Sequence, residues 1–72
     1  MKKIKKIKIK LNGKIKLIVE NSKIQTLINH LNVPIQKVAI ELNQEILDKK
    51  KLNKIKLKQN DRIEIVHFIG GG

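Results

Sequence analysis

The residues best suited to chemistry are three consecutive glycines at the end of the sequence, Gly70, Gly71 and Gly72. Ordering a glycine costs more conformational entropy than ordering any other residue, so three in a row would only weaken a terminal strand. Glycine does let an extended backbone enter a narrow channel of another protein and present an unhindered carboxylate. Four residues from Ile69 onward span about 13 Å when extended. The sequence therefore predicts that residues 69–72 form a flexible tail that delivers the Gly72 carboxylate to another protein's active site.

Other reactive groups are scarce. The sequence has no cysteine, which excludes disulfides, thiolate metal sites and a cysteine nucleophile. Its two histidines, His30 and His67, are too few for a metal site. A chain of 72 residues buries only about 60% of the surface that its unfolded form exposes, which leaves no room for a deep catalytic cleft.

The net charge of +11 raises the question of a polyanionic partner. All but one of the 17 basic residues are lysines, Arg62 being the exception, and Phe68 is the only aromatic residue on which a base could stack. We interpret the charge as a solvated lysine surface and expect no nucleic acid partner. A lysine-rich nucleic-acid or membrane binder is the alternative, and its binding should survive deletion of Gly71 and Gly72.

Nothing in the sequence indicates membrane insertion or export. No apolar run approaches the roughly 20 residues of a membrane span, and "MKKIKKIKIK" has lysines where a signal peptide is apolar. We expect a soluble chain in the cytoplasm, or in the plastid stroma if it is encoded in an organelle. The abundance of lysine, isoleucine and asparagine, which AT-rich codons specify, fits either compartment.

The stretch "KIKIKLNGKIKLIVE" predicts a β-hairpin. Two runs of alternating apolar residues and lysines flank Asn12-Gly13, the residues that a type I′ turn favours because both need positive φ. The first ten residues would also fit a membrane-surface helix, but Ile9 lies outside its apolar stripe. The hairpin accounts for Ile9, and we place Ile18 of the second strand on its outward face.

The next segment, "NSKIQTLINHLNVP", changes to the period of a helix. Four apolar residues lie at spacings of i, i+3, i+4 and i+7, namely Ile24, Leu27, Ile28 and Leu31. Ser22 and Gln25 fit a capping box at the beginning of the helix, and Asn32 with Pro34 fits its end.

Three further strands complete the pattern. "KVAIEL" and "DRIEIVHF" alternate, a turn near Asn43-Gln44 leads to a short strand around Ile46, and three apolar residues of the next connection should tuck under the sheet, namely Leu52, Ile55 and Leu57. The order predicts an α+β fold in which one helix packs on a mixed sheet of four to five strands, with the first and last strands as central neighbours. This is the β-grasp arrangement, with residues 1–72 as one domain.

The last strand predicts a docking patch beside the tail. If Ile63 and Ile65 point into the core, Val66 and Phe68 point to the opposite face, because strand side chains alternate. With Ile18 and Ile69 they would form an exposed apolar patch for a partner.

The element order, "LNG" after the first strand, "VAIELNQEIL" and "DRIEIVHFIGGG" together resemble the ThiS family, the ubiquitin-like sulfur carriers of thiamine biosynthesis. The resemblance covers nearly the whole chain and is strongest over residues 37–72. Gln44 and Asn60 depart from it, since both occupy turn positions where the family often has glycine.

The resemblance implies that the chain is a substrate of other enzymes and not itself an enzyme. A ThiF-type, E1-like enzyme would adenylate Gly72 with ATP and magnesium, and a donor such as a cysteine desulfurase would supply sulfur for a thiocarboxylate. ThiG-type thiazole synthase would receive that sulfur, with Gly70 and Gly71 threading the partner channels and no cofactor bound to the carrier. A carrier for molybdopterin synthesis or tRNA thiolation, or a ubiquitin-like protein modifier, shares the fold and the tail.

Overall fold

The structure is a computed structural model that describes residues 3–68. Within that range the chain forms five strands, one α-helix and two short 3₁₀ helices. The strands are β1 (Lys6–Leu11), β2 (Lys14–Val19), β3 (Val38–Leu42), β4 (Glu45–Ile46) and β5 (Arg62–His67). Helix α1 spans Ile24–Leu31, and the 3₁₀ helices span Ile35–Lys37 and Lys49–Lys54.

The hairpin of β1 and β2 closes as predicted. Asn12 has φ 50° and Gly13 has φ 82°, the two positive values that a type I′ turn requires. The antiparallel register runs from Leu11 opposite Lys14 to Lys6 opposite Val19.

The strands form one mixed sheet in the order β2-β1-β5-β3-β4. β1 pairs parallel with β5 through Lys10 opposite Arg62 and Leu11 opposite Ile63, and β3 pairs antiparallel with both β4 and β5. The first and last strands are therefore neighbours, and the predicted β-grasp arrangement is confirmed. As a result β5, the strand that precedes the glycines, lies between two other strands.

Helix α1 ends as the sequence predicts but begins differently. Asn32 adopts a left-handed conformation, and its N–H donates to the carbonyl oxygens of Ile28 and Asn29. At the other end Lys23 is the N-cap, with no side-chain cap, while the Ser22 hydroxyl donates to the carbonyl of Val19. The capping-box prediction was wrong because the hydroxyl of Ser22 is already bonded to the preceding turn.

The core lies between α1 and one face of the sheet. It contains buried isoleucines, leucines and valine from every strand except β2 and β4, from α1 and from the connection before β5: Ile9, Ile24, Leu27, Ile28, Val38, Ile40, Leu52, Leu57, Ile63 and Ile65. Ile55 packs against it while partly buried, so the predicted inward packing of this connection is confirmed. No helix within residues 3–68 is long and apolar enough to cross a membrane.

The two positions that depart from the ThiS pattern both hold a left-handed backbone. Gln44 has φ 74° in the turn between β3 and β4, and Asn60 has φ 71° in the turn before β5. Asparagine tolerates this conformation better than glutamine does, because its short amide can bond to nearby backbone. Gln44 is therefore the turn residue at which the left-handed backbone imposes strain.

Candidate functional site at the end of strand β5

Strand β5 is hydrogen-bonded up to the predicted tail. Its ladder with β3 runs from Ile63 opposite Leu42 to His67 opposite Val38. One residue further on, the N–H of Phe68 donates to the carbonyl of Lys37 at 2.9 Å. The backbone is thus fixed by hydrogen bonds to the last residue that the structure describes.

On the side that faces β1, β5 extends beyond the end of β1. There the side chain of Asn12 takes the place of further β1 backbone. The backbone pairing of β1 with β5 stops at Leu11 and Ile63, where the N–H of Asn12 still donates to the Ile63 carbonyl at 2.8 Å. The Asn12 Oδ1 then accepts from the N–H of Ile65 at 2.8 Å, and its Nδ2 donates to the Ile65 carbonyl at 3.4 Å. The turn of the hairpin therefore holds β5 two residues further toward the tail than β1 itself does.

Val66 and Phe68 lie on the face of the sheet away from α1, as predicted. Phe68 is 54% exposed and Val66 is 48% exposed. The ring of Phe68 has the ammonium of Lys49 at 5.5 Å from its centroid, within the range of a cation–π contact. These two side chains form an exposed apolar surface directly before residue 69, which we call the β5 patch; its role in partner contact stays a prediction.

Ile18 does not belong to this patch, and the predicted outward orientation was wrong. Ile18 lies opposite Ile7 in the hairpin and packs, partly buried, against the core. The physical reason is that directly opposed residues of two antiparallel strands share one face. Because Ile9 of β1 is buried and Ile7 packs against the core while partly buried, the residues opposite them, Lys16 and Ile18, lie on that same side.

The outward residues of β2 are instead Ile15, Leu17 and Val19, which are exposed. They lie opposite Lys10, Lys8 and Lys6, so an apolar row and a basic row run side by side across the face away from α1. The sequence did contain the signal: with a two-residue turn at Asn12-Gly13, the parity of the first strand determines that of the second.

The residues expected to react or to enter a partner, Ile69, Gly70, Gly71 and Gly72, lie outside the described residues. In the part of the chain that the structure describes, no three histidine, aspartate or glutamate side chains group as metal ligands would. What the described part supplies is a strand that is hydrogen-bonded on both sides and an exposed apolar surface at its end.

Comparison with known proteins identifies relatives over most of this length. A model of the ThiS family matches residues 9–72. "Sulfur carrier protein ThiS" of Bacillus subtilis is 38% identical over 65 residues, which are 89% of this chain and 98% of that protein. "Thiazole synthase" of Paramagnetospirillum magneticum is 35% identical over 66 residues; these are 92% of this chain but only 20% of that longer protein.

A solved structure has the same fold. The crystal structure of the thiamine biosynthesis protein ThiS from Geobacter metallireducens superposes with a TM-score of 0.81 at 29% identity, covering 92% of this chain and all of that one. The family match, the identity to the Bacillus protein and this superposition agree, and we conclude that the chain belongs to the ThiS family.

Proposed function

We propose that this chain is a sulfur carrier of thiamine biosynthesis that holds its sulfur as a thiocarboxylate on Gly72. The observation that carries the proposal is the extent of the family match, which runs through residue 72 and so includes Gly70, Gly71 and Gly72. The Bacillus relative, matched over 98% of its own length, is named a sulfur carrier protein.

The first step we propose is activation of the tail. A carboxylate resists nucleophilic attack and must first be activated. A ThiF-type, E1-like partner would hold ATP with magnesium so that an oxygen of the Gly72 carboxylate attacks the α-phosphate and displaces pyrophosphate. The products are an acyl-adenylate and pyrophosphate. The nucleotide and the magnesium belong to the partner, and the carrier contributes only the reacting carboxylate.

Sulfur then replaces the adenylate. A sulfur nucleophile at the oxidation level of hydrosulfide attacks the acyl carbon of Gly72. The bond from that carbon to the phosphate oxygen breaks, AMP departs, and Gly72 is left as a thiocarboxylate. If the donor is the persulfide of a cysteine desulfurase, the first product is an acyl disulfide. A thiol must then cleave its S–S bond and is itself oxidised to a disulfide.

The recipient we propose is a thiazole synthase of the ThiG type. A segment similar to this chain makes up one fifth of the Paramagnetospirillum protein that is named thiazole synthase. Joining two activities in one polypeptide supports their use in one reaction sequence, because the tether raises the local concentration of each for the other.

The chain itself would act as a substrate of its partners and not as an enzyme. Its folded part would position the tail, since hydrogen bonds fix the backbone as far as Phe68. The β5 patch of Val66 and Phe68, continued by Ile69, would contact the partners, while Gly70 and Gly71 would thread their channels. We place this activity in the cytoplasm, or in the plastid stroma for an organelle-encoded chain.

The test is the intact mass of the full chain after incubation with ATP, magnesium, a ThiF-type enzyme and a sulfur donor. A mass gain equal to the exchange of one oxygen atom for sulfur is expected. The matched control is the same chain without Gly71 and Gly72, which should gain nothing. If the enzyme modifies a known carrier but leaves this chain unchanged, the proposed function is wrong.

A further inference from the structure

A second surface lies at the opposite edge of the sheet from β3 and β4. β2 is six residues long and, within residues 3–68, pairs only with β1. The hydrogen bond from the N–H of Glu20 to the carbonyl of Lys5, 2.8 Å long, fixes which backbone groups face β1. Alternate residues of an antiparallel pair bond to each other, so the even-numbered residues of β2 bond to β1.

The odd-numbered residues therefore direct their backbone groups away from the sheet. Ile15 and Leu17 each present an N–H and a C=O along this edge, and Val19 presents its N–H, since its carbonyl already accepts from Ser22 at 3.1 Å. These groups are spaced as an incoming strand would need them.

A groove of about 550 Å³ runs between this edge and α1. Its apolar floor includes Ile18 and Leu27, and its polar rim includes Lys16, Thr26 and His30. A strand added to β2 would point every second side chain into this groove and the others to the face that carries Ile15, Leu17 and Val19. Both sides of such a strand would thus find apolar contacts.

The charge of the edge defines the occupant. From residue 14 to residue 23 the chain carries Lys14, Lys16 and Lys23 against one carboxylate, Glu20. A second copy of the chain, paired edge to edge, would bring lysines against lysines, an arrangement that natural edge strands use to prevent self-pairing. Carboxylates beside branched apolar residues complement this edge instead.

We propose that the groove between β2 and α1 binds an extended acidic peptide segment of another protein, which adds to β2 as a sixth strand. Branched apolar side chains of the segment would enter the groove, and flanking aspartates or glutamates would meet Lys14 and Lys16. This site lies apart from the tail, so binding should persist after deletion of Gly71 and Gly72.

The probe is a fluorescent peptide of four alternating valines and isoleucines with two aspartates at each end, acetylated and amidated. Its binding to the full chain is followed by fluorescence polarisation and by NMR amide shifts of the protein. Saturable binding with shifts confined to β2 and α1 is expected. A matched peptide with alternate N-methylated amides keeps the charge but cannot pair with β2 on that edge, and it should bind about tenfold or more weakly.

Two variants locate the site. Leu17→Pro removes an outward N–H without touching the ladder to β1, and Lys16→Glu reverses a charge at the rim; each should weaken binding about tenfold. Lys58→Glu makes the same charge change at an exposed position outside the groove and should leave binding unchanged. NMR spectra test whether each variant is folded. If Leu17→Pro does not fold, Lys16→Glu alone tests the site.

The proposal is overturned by any of four results: no saturable binding, equal binding of the N-methylated peptide, amide shifts at Val66 to Phe68 in place of β2, or equal loss with Lys58→Glu. Equal binding of the N-methylated peptide would assign the interaction to side-chain contacts and charge, without strand addition. If the free chain forms a dimer that the peptide cannot dissociate, the edge of β2 binds a second copy of the chain instead.

Discussion

The side-chain amide of Asn12 pairs with the backbone of Ile65, which lies 53 positions later in the chain. It accepts from the N–H and donates to the carbonyl, as a backbone residue of a continued β1 would do. The same residue has φ 50° in the hairpin turn. One asparagine thus closes the first hairpin and holds the strand that leads to the tail.

Replacing Asn12 by alanine should therefore cost more than an ordinary turn substitution. The change leaves the partly buried N–H and C=O of Ile65 without their hydrogen-bond partner. It also places alanine, whose side chain cannot bond to nearby backbone, at a positive φ. We therefore expect a loss of about 2–3 kcal/mol in the free energy of unfolding. Asn12→Gly loses the same hydrogen bonds but suits the conformation, and should cost about 1–2 kcal/mol. Urea unfolding measures both.

Hydrogen exchange at one amide tests the cause. In both variants the N–H of Ile65 should exchange faster relative to neighbouring β5 amides that bond to β3. Unchanged protection at Ile65 would mean that the Asn12 side chain does not hold β5.

Gln44 and Gly13 both have a left-handed backbone, so exchanging glycine and a residue with a Cβ at these two positions should change the stability in opposite directions. Gln44 is exposed at φ 74° with a side chain suited to negative φ, so Gln44→Gly should raise the free energy of unfolding by about 0.5–1 kcal/mol. Gly13 has φ 82°, and a Cβ there would meet no atom within 4 Å, so Gly13→Ala should cost about 1 kcal/mol from backbone strain alone.

The denaturant midpoints of the two variants, compared with that of the unchanged chain, test both predicted changes in stability. Equal signs for the two changes would show that something other than the left-handed backbone controls these turns. Unchanged m values are expected, because neither substitution alters the surface buried on folding.

Local rules predicted the features that depend on neighbouring residues. Asn12-Gly13 predicted its own turn, and the alternation around Ile63 and Ile65 placed Val66 and Phe68 on the exposed face correctly. Alternation within one strand is enough for this, because the period of two is a property of the backbone.

The features that escaped prediction depend on partners outside the short segment whose pattern was considered. Ile18 was predicted to point outward because the two strands of the hairpin were not compared. Its position opposite Ile7 shows that it faces the core. The Asn12 side chain had no sequence neighbour to indicate Ile65 as its partner. Ser22 was predicted as a helix cap, but its hydroxyl bonds back to Val19. Only the partner of Asn12 is fixed by the fold alone, 53 positions away. The orientation of Ile18 follows from the two-residue turn once both strands are considered together, and the Ser22 bond spans three residues.

The corrected parity of β2 can be tested with one substitution on each face. Leu17→Lys places a charge on the exposed face, where surface changes stay within about 0.5 kcal/mol, and should leave the stability nearly unchanged. Ile18→Lys places the same charge against the core and should cost about 1–3 kcal/mol, because a partly buried apolar contact is lost and a charge is brought near it. Thermal or urea unfolding distinguishes them, and the reverse order would restore the original prediction.

The exposure of Phe68 separates a role in docking from a role in folding. Its side chain is 54% exposed and contacts Lys49 through a weak cation–π interaction, so Phe68→Ala should change the free energy of unfolding by less than about 1 kcal/mol. Its neighbour Ile65, 8% exposed, belongs to the core, and Ile65→Ala should cost about 2–4 kcal/mol. The two variants thus delete one apolar side chain inside the core and one on the exposed face just after β5.

If the β5 patch contacts the adenylating partner, Phe68→Ala should lower kcat/KM for thiocarboxylate formation about tenfold or more, as the loss of an aromatic anchor does at other interfaces. The rate is followed by intact mass at several carrier concentrations. Unchanged kcat/KM with unchanged stability would remove Phe68 from the docking surface. A large loss of stability would contradict its exposed position, since a side chain that the fold does not bury has little folding energy to lose.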